Sequence, residues 1–123
     1  MSKTILVVDD SASVRQVVSL ALKNAGHQVI EAVDGMDALK KLDDNKKVHL
    51  IVSDVNMPNM DGITMLKAVK AMPAYRFTPV IMLTTEGSDQ MKEEGRAAGA
   101  KAWVVKPFKP EQMLAAVNKL ILP

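Results

Sequence analysis

The sequence contains no cysteine, which removes disulfides, thiolate metal sites and cysteine nucleophiles together. Aromatic residues are scarce as well. One Trp, one Tyr and two Phe in 123 residues leave no stacking platform for nucleic acid, and a formal net charge of +2, with Lys and Arg scattered among Asp and Glu, leaves no basic stripe. The first apolar run, Ile5 to Val8, stops at two aspartates, and no later run approaches about 18 residues, so neither a signal peptide nor a membrane span is expected. These absences point to a chain of the cytoplasm that binds neither membrane nor nucleic acid.

What is present is apolar and periodic. At 48% hydrophobic composition the chain is large enough for one core, and a single domain over residues 1–123 is expected. Five short apolar runs stand out: TILVVD (4–9), QVIEAV (28–33), HLIVSD (49–54), PVIMLT (79–84) and KAWVVK (101–106). Stretches of helical period separate them. Val14, Val17, Val18, Ala21 and Ala25 mark a first helix, with Ser11 or Ser13 as its cap and Gly26 as its terminator. Asp34 caps a second carrying Ala38, Leu39 and Leu42; Asp61 caps a third carrying Met65, Leu66, Val69 and Met72, which Pro73 ends. A fourth, around Ser88 to Ala98, is weak, because Gly95 costs about 1 kcal/mol relative to alanine and its apolar face is sparse. The fifth starts near Pro110 and buries Met113, Val117 and Leu120 or Ile121. Five alternations of strand and helix, with near-continuously apolar strands 1, 3 and 4, predict an α/β fold: a parallel sheet with helices on both faces. Met57, Met60 and Met65 are read as core filler, and the lysine pairs at 40–41 and 46–47 as a solvated face.

Sites in such sheets form beyond the carboxyl ends of the strands. Strand 1 ends in Asp9 and Asp10, strand 3 in Asp54, strand 4 in Thr84 and Thr85, and strand 5 in Lys106; strand 2 ends blandly. If strands 1, 3, 4 and 5 are neighbours, three carboxylates, a hydroxyl and an ammonium converge. Two like charges about 4 Å apart at an effective dielectric near 20 repel by about 4 kcal/mol, which calls for a cation. An oxygen-only cluster suits Mg²⁺ better than Zn²⁺; His27 and His49, at helix and strand starts, are read as structural or exposed rather than as ligands. Magnesium keeps company with phosphoryl groups, and an aspartate can be the nucleophile of an acyl phosphate, so the cluster points to phosphoryl chemistry.

LVVDD (6–10), SDVNMPNMDG (53–62), MLTTE (82–86) and VVKPF (104–108) together resemble the receiver domain of bacterial response regulators and, as a stand-alone chain, the CheY-like chemotaxis regulators. The resemblance spans the whole length. It implies the flavodoxin-like strand order 2-1-3-4-5, a order known for CheY-type chains and not read from the spacing here. It further implies Asp54 as phospho-acceptor; Asp10, Asp54, the backbone carbonyl of Asn56 and Asp9 as Mg²⁺ ligands; and Lys106 and Thr84 as partners of the phosphoryl group, with Thr85 in solvent. The peptide before Pro107 is cis in similar proteins. Asn56 and Glu86 would set the dephosphorylation rate, and Trp103 stands where an aromatic switch residue, often Tyr, is expected. The implied function is a signalling module in a two-component system, a monomer phosphorylated by a CheA-like histidine kinase. It would signal, in chemotaxis or as a phosphorelay intermediate, by protein contact on the face of helix 4, strand 5 and helix 5. A haloacid dehalogenase-type phosphatase is disfavoured, since Asn56 replaces the second acid that chemistry needs and the length leaves no room for a cap domain. A flavodoxin-type FMN carrier is disfavoured because Asp9 and Asp10 would repel the phosphate.

Overall fold

The computed structural model of the chain describes residues 3–43, 47–85 and 87–121. Its elements run β1 (Thr4–Val8), α1 (Ala12–Asn24), β2 (Gln28–Ala32), α2 (Gly35–Asp43), β3 (Leu50–Ser53), α3 (Gly62–Lys70), a 3₁₀ turn (Pro73–Tyr75), β4 (Val80–Thr84), α4 (Asp89–Ala98), β5 (Ala102–Val105) and α5 (Pro110–Leu120). The sheet is parallel throughout, in the order β2-β1-β3-β4-β5.

Alternation along the strands divides the core in two. Leu6, Val8, Ile51, Val80 and Met82 pack with Ala38 and Leu42 of α2 and Met65, Leu66 and Val69 of α3. Ile5, Val7, Leu50, Val52, Ile81 and Leu83 pack with Val18 and Leu22 of α1 and Met113 and Val117 of α5. The central strands β1, β3 and β4 are buried on both faces, as continuous apolar runs require, whereas β5 at the edge is only half-buried. Met65 is fully buried, and Met57 and Met60 pack against the first cluster.

The caps are local and decisive. Ser11 rather than Ser13 caps α1, its Oγ accepting from the Val14 N–H at 3.4 Å. Asp34 accepts from the Asp37 N–H at 2.8 Å, Asp61 from Thr64 at 2.8 Å and Ser88 from Met91 at 3.2 Å. Each satisfies one of the unpaired donors of a first turn. The face of α1 differs from the sequence expectation: Val17 and Ala25 are exposed, and Leu22 is fully buried. The buried stripe is centred on Val18 and Leu22, with Ser19 beside them, and Ala25 is already the C-cap. Lys41 departs from the expected solvated face, its ammonium donating to the Glu31 carbonyl at 2.6 Å and lying 3.5 Å from Asp37; Lys46 falls outside the described residues. His49 accepts the Thr4 N–H on Nδ1 at 3.0 Å, at the opposite end of the sheet from the acidic residues.

Candidate functional site

The backbone holds the site residues before their side chains act. Asp9, Asp54 and Lys106 each lie one residue past a strand, yet each donates its N–H to the neighbouring strand's carbonyl: Asp9 to Ala32 at 3.2 Å, Asp54 to Val8 at 2.9 Å and Lys106 to Thr84 at 2.8 Å. These are the last rungs of three ladders, so the three residues inherit the rigidity of the sheet without belonging to it.

The side chains converge from there. The Lys106 ammonium lies 3.1 Å from Asp9 Oδ2 and 3.3 Å from Asp54 Oδ2. The other carboxylate oxygens are also held: Asp9 Oδ1 accepts from the Ser11 N–H at 2.8 Å, and Asp54 Oδ1 from the Val55 N–H at 2.7 Å. Asp9 and Asp54 are buried, whereas Asp10 is exposed and makes no hydrogen bond or ion pair among the described residues. The peptide Lys106–Pro107 is cis. Behind Asp54 stands Gly62, whose N–H donates to the Val55 carbonyl at 2.8 Å; a Cβ there would come within 2.1 Å of the Asp54 carbonyl oxygen, so only glycine fits.

Burial pushes the Asp9 carboxyl above the ordinary carboxylate range, against the opposing pull of the Ser11 N–H and Lys106, and the Asp54 charge adds to the rise. For Lys106, burial works against the charged form, but the hydrogen bond to Asp9 and the charges of Asp54 and Asp9 together outweigh it and leave the ammonium more basic than usual. The lysine is therefore a permanent cation between two carboxylates.

Asp9, Asp10 and Asp54 each present an oxygen within 4.8 Å of the others. Three hard donors with a net negative balance beside one lysine fit a divalent cation such as Mg²⁺. Asn56 follows in the exposed loop after β3. Thr84 is fully buried at the end of β4, and Thr85 is exposed. Trp103 pairs with Met82, and Thr84 with Val105, which places Thr84 and Trp103 on the same face of the sheet, one step of the pleat apart. Glu86 lies outside the described residues. Two contributions escaped the sequence reading: that of Arg15, and the contact Gly95 makes beyond its cost to helix 4. Arg15 of α1 donates from Nη1 to the Asp9 carbonyl at 2.7 Å and from Nε to Glu31 at 3.3 Å, and Gly95 of α4 is buried against Trp103. Arg15 stands six residues past Asp9 and at the fourth position of α1, so the start of that helix can carry its guanidinium back over the strand end, which is the signal that could have found it.

A parallel sheet of order β2-β1-β3-β4-β5 with a lysine and three aspartates at its carboxyl edge defines, as a class, a flavodoxin-like α/β domain with an acidic site at the strand ends. The sequence matches the family described as Response regulator receiver domain over residues 5–118, and the chain belongs to it. It is 38% identical over 108 residues to the chemotaxis protein CheY1 of Helicobacter pylori, covering 87% of each chain. To the protein PilG of Pseudomonas aeruginosa it is 37% identical over 114 residues, 93% of this chain and 84% of that one. The structure of the chemotaxis protein CheY4 of Vibrio cholerae superimposes with a TM-score of 0.93 at 46% identity, covering 98% of this chain and 100% of the other. The chain is a response regulator of two-component signal transduction. Among the described residues no helix is long and apolar enough to cross a membrane.

Proposed function

We propose that Asp54 accepts a phosphoryl group from the phosphohistidine of a CheA-like histidine kinase, in a chemotaxis pathway of the cytoplasm. An Asp54 carboxylate oxygen attacks phosphorus, the P–N bond to the donor imidazole breaks, and the leaving nitrogen is protonated from solvent. Asp9, Asp10, Asp54 and the Asn56 carbonyl would hold Mg²⁺, which, when bound, offsets negative charge on the phosphoryl oxygens. Lys106 supplies a fixed cation to the same oxygens, and the Thr84 hydroxyl a hydrogen bond. Asn56 and Glu86, two positions past Asp54 and Thr84 in the sequence, would set the rate at which water hydrolyses the acyl phosphate. The observation that carries this reading is the Lys106 ammonium set 3.1 and 3.3 Å from Asp9 and Asp54, on residues fixed by three ladder ends.

The output runs along the face that Thr84 and Trp103 share. Drawing Thr84 toward a phosphoryl group vacates space on the side of α4, and the surface of α4, β5 and α5 carries the change to a protein partner. Chemotaxis is the pathway named for several relatives at comparable identity, and this chain is read as a monomer. Incubation with radiolabelled acetyl phosphate and Mg²⁺ tests the chemistry: Asp54→Asn should lose labelling to background, and full-strength labelling of that variant refutes the assignment. With beryllofluoride and Mg²⁺, Trp103 emission should shift, and Thr84→Ala should suppress that shift.

A further inference from the structure

The strand that ends without an obvious site residue turns out to hold the site in place. Glu31 is the penultimate residue of β2, and its carboxylate lies 3.3 Å from Arg15 Nε. The same guanidinium donates from Nη1 to the Asp9 carbonyl at 2.7 Å. Arg15 thereby spans from the outermost strand of the sheet to the peptide that joins Asp9 to Asp10.

That peptide is where the two aspartates part company. Every polar atom of Asp9 has a partner: its N–H on Ala32, its carbonyl on Arg15, and its carboxylate on Ser11 and Lys106. Asp10 has none among the described residues. A peptide unit is planar, so fixing the Asp9 carbonyl fixes the direction in which the Asp10 N–Cα bond leaves it. Asp10 is therefore oriented through its two flanking peptides, that plane on one side and, on the other, the Ser11 N–H bonded to Asp9 Oδ1 at 2.8 Å, and Arg15 holds the first of them. A guanidinium suits the task, since its rigid fork can meet a carboxylate with one N–H and a carbonyl with another, which an ammonium cannot do with the same geometry. Arg15 is well covered, 16% exposed, while Glu31 is 43% exposed.

We propose that Arg15, braced by Glu31, is a positioning residue for the metal site, setting Asp10 to meet a divalent cation. The inference rests on the reading of Asp9, Asp10 and Asp54 as a Mg²⁺ site. It carries an unusual sign. Arg15 is a cation beside a cation site, so by charge alone its removal tightens Mg²⁺ binding; by positioning, its removal weakens it.

The test is a Mg²⁺ titration at constant ionic strength, followed by amide chemical shifts around Asp10, with urea unfolding in a chelator as a parallel measure of stability. Arg15→Gln should weaken Mg²⁺ about tenfold, the scale of loss for a partner that orients a metal ligand. Arg15→Lys, which keeps the charge and loses the fork, should weaken it comparably. Glu31→Gln, at an exposed residue that leaves the fold intact, should weaken it about threefold, as befits a solvent-screened pair. The double variant Arg15→Gln with Glu31→Gln should be no weaker than Arg15→Gln alone, because Glu31 acts through Arg15. Unchanged or tighter binding in Arg15→Gln, with the wild-type chain binding Mg²⁺, overturns the positioning role alone. No binding to the wild-type chain overturns the metal reading and this inference with it.

Discussion

The carboxyl edge of the sheet and the α4–β5 side of the molecule are built from opposite materials. At the edge, Asp9, Asp54 and Thr84 are buried, Asp9, Asp54 and Lys106 are pinned by ladder ends, and the Lys106 ammonium meets the two carboxylates at 3.1 and 3.3 Å. On the other side, α4 has a single buried residue, Gly95, with Met91 and Ala98 half-buried beside it and the rest of the helix exposed, and β5 is half-buried along most of its length. Displacing the edge would break hydrogen bonds to several elements together, while displacing α4 would disturb mainly the packing of Gly95 on the indole and of half-buried Met91 and Ala98 on the core. A domain divided this way can hold its chemistry still and let its surface move.

Gly95 was expected to weaken α4 by backbone entropy alone. Its contact with Trp103 gives it a second role: a Cβ at that position would lie 2.5 Å from Trp103 Cζ3. The soft element is therefore also a fitted one, since the missing side chain makes room for the ring beneath it.

The contrast can be broken at either region. The largest effect is expected at the pinned edge. Gly62→Ala forces a Cβ to within 2.1 Å of the Asp54 carbonyl and 2.9 Å of Met82 Cε, where backbone cannot yield cheaply, and should cost about 3 kcal/mol in urea unfolding along with most acetyl phosphate labelling. Wild-type stability in that variant would mean that the edge is softer than its hydrogen bonds imply. At the soft side, Gly95→Ala should cost about 1 kcal/mol net, as overpacking exceeds the gain in helix propensity, and should shift Trp103 emission as the ring is pushed out. In a Trp103→Ala background the same change should stabilise by about 1 kcal/mol. An equal cost in both backgrounds would show that the indole is not what the glycine accommodates.

The smallest effect belongs to the far end of the sheet, which serves as the control for both regions. His49 titrates below its ordinary 6.5 because burial, and then Lys3 and Lys47, disfavour its charged form. With the folded value depressed, its contribution to stability is complete above about pH 6.5 and is lost as the pH falls through the folded value. His49→Gln should flatten the fall in unfolding free energy over that window and leave Mg²⁺ affinity and Asp54 labelling at neutral pH unchanged. A loss of labelling would couple the two ends of the sheet and void the contrast.

The alternation of elements, the caps at Asp34 and Asp61 and the core of α5 were legible in the sequence because each depends on residues a few positions apart. The same holds for the strand ends, where an apolar run meets Asp9, Asp54 or Lys106. The face of α1 was read partly wrongly, since several valines and alanines recur at helical spacing and only the sheet selects Val18 and Leu22 as the inward stripe. Strand order was implied by resemblance and not by periodicity, which carries no information about which strands are neighbours.

By itself, then, the sequence determined which residues would stand at strand ends, because backbone preference and apolar period act locally. Only the tertiary structure decided what those residues became. Asp9 and Asp10 are chemically identical neighbours, yet one is buried and bound at every polar atom and the other is exposed and open to a ligand. That difference comes from Lys106, 97 positions from Asp9, and from Glu31 on an outer strand, brought near by ladder pairing between segments far apart in the chain. Such neighbours exist only once the sheet has closed its register.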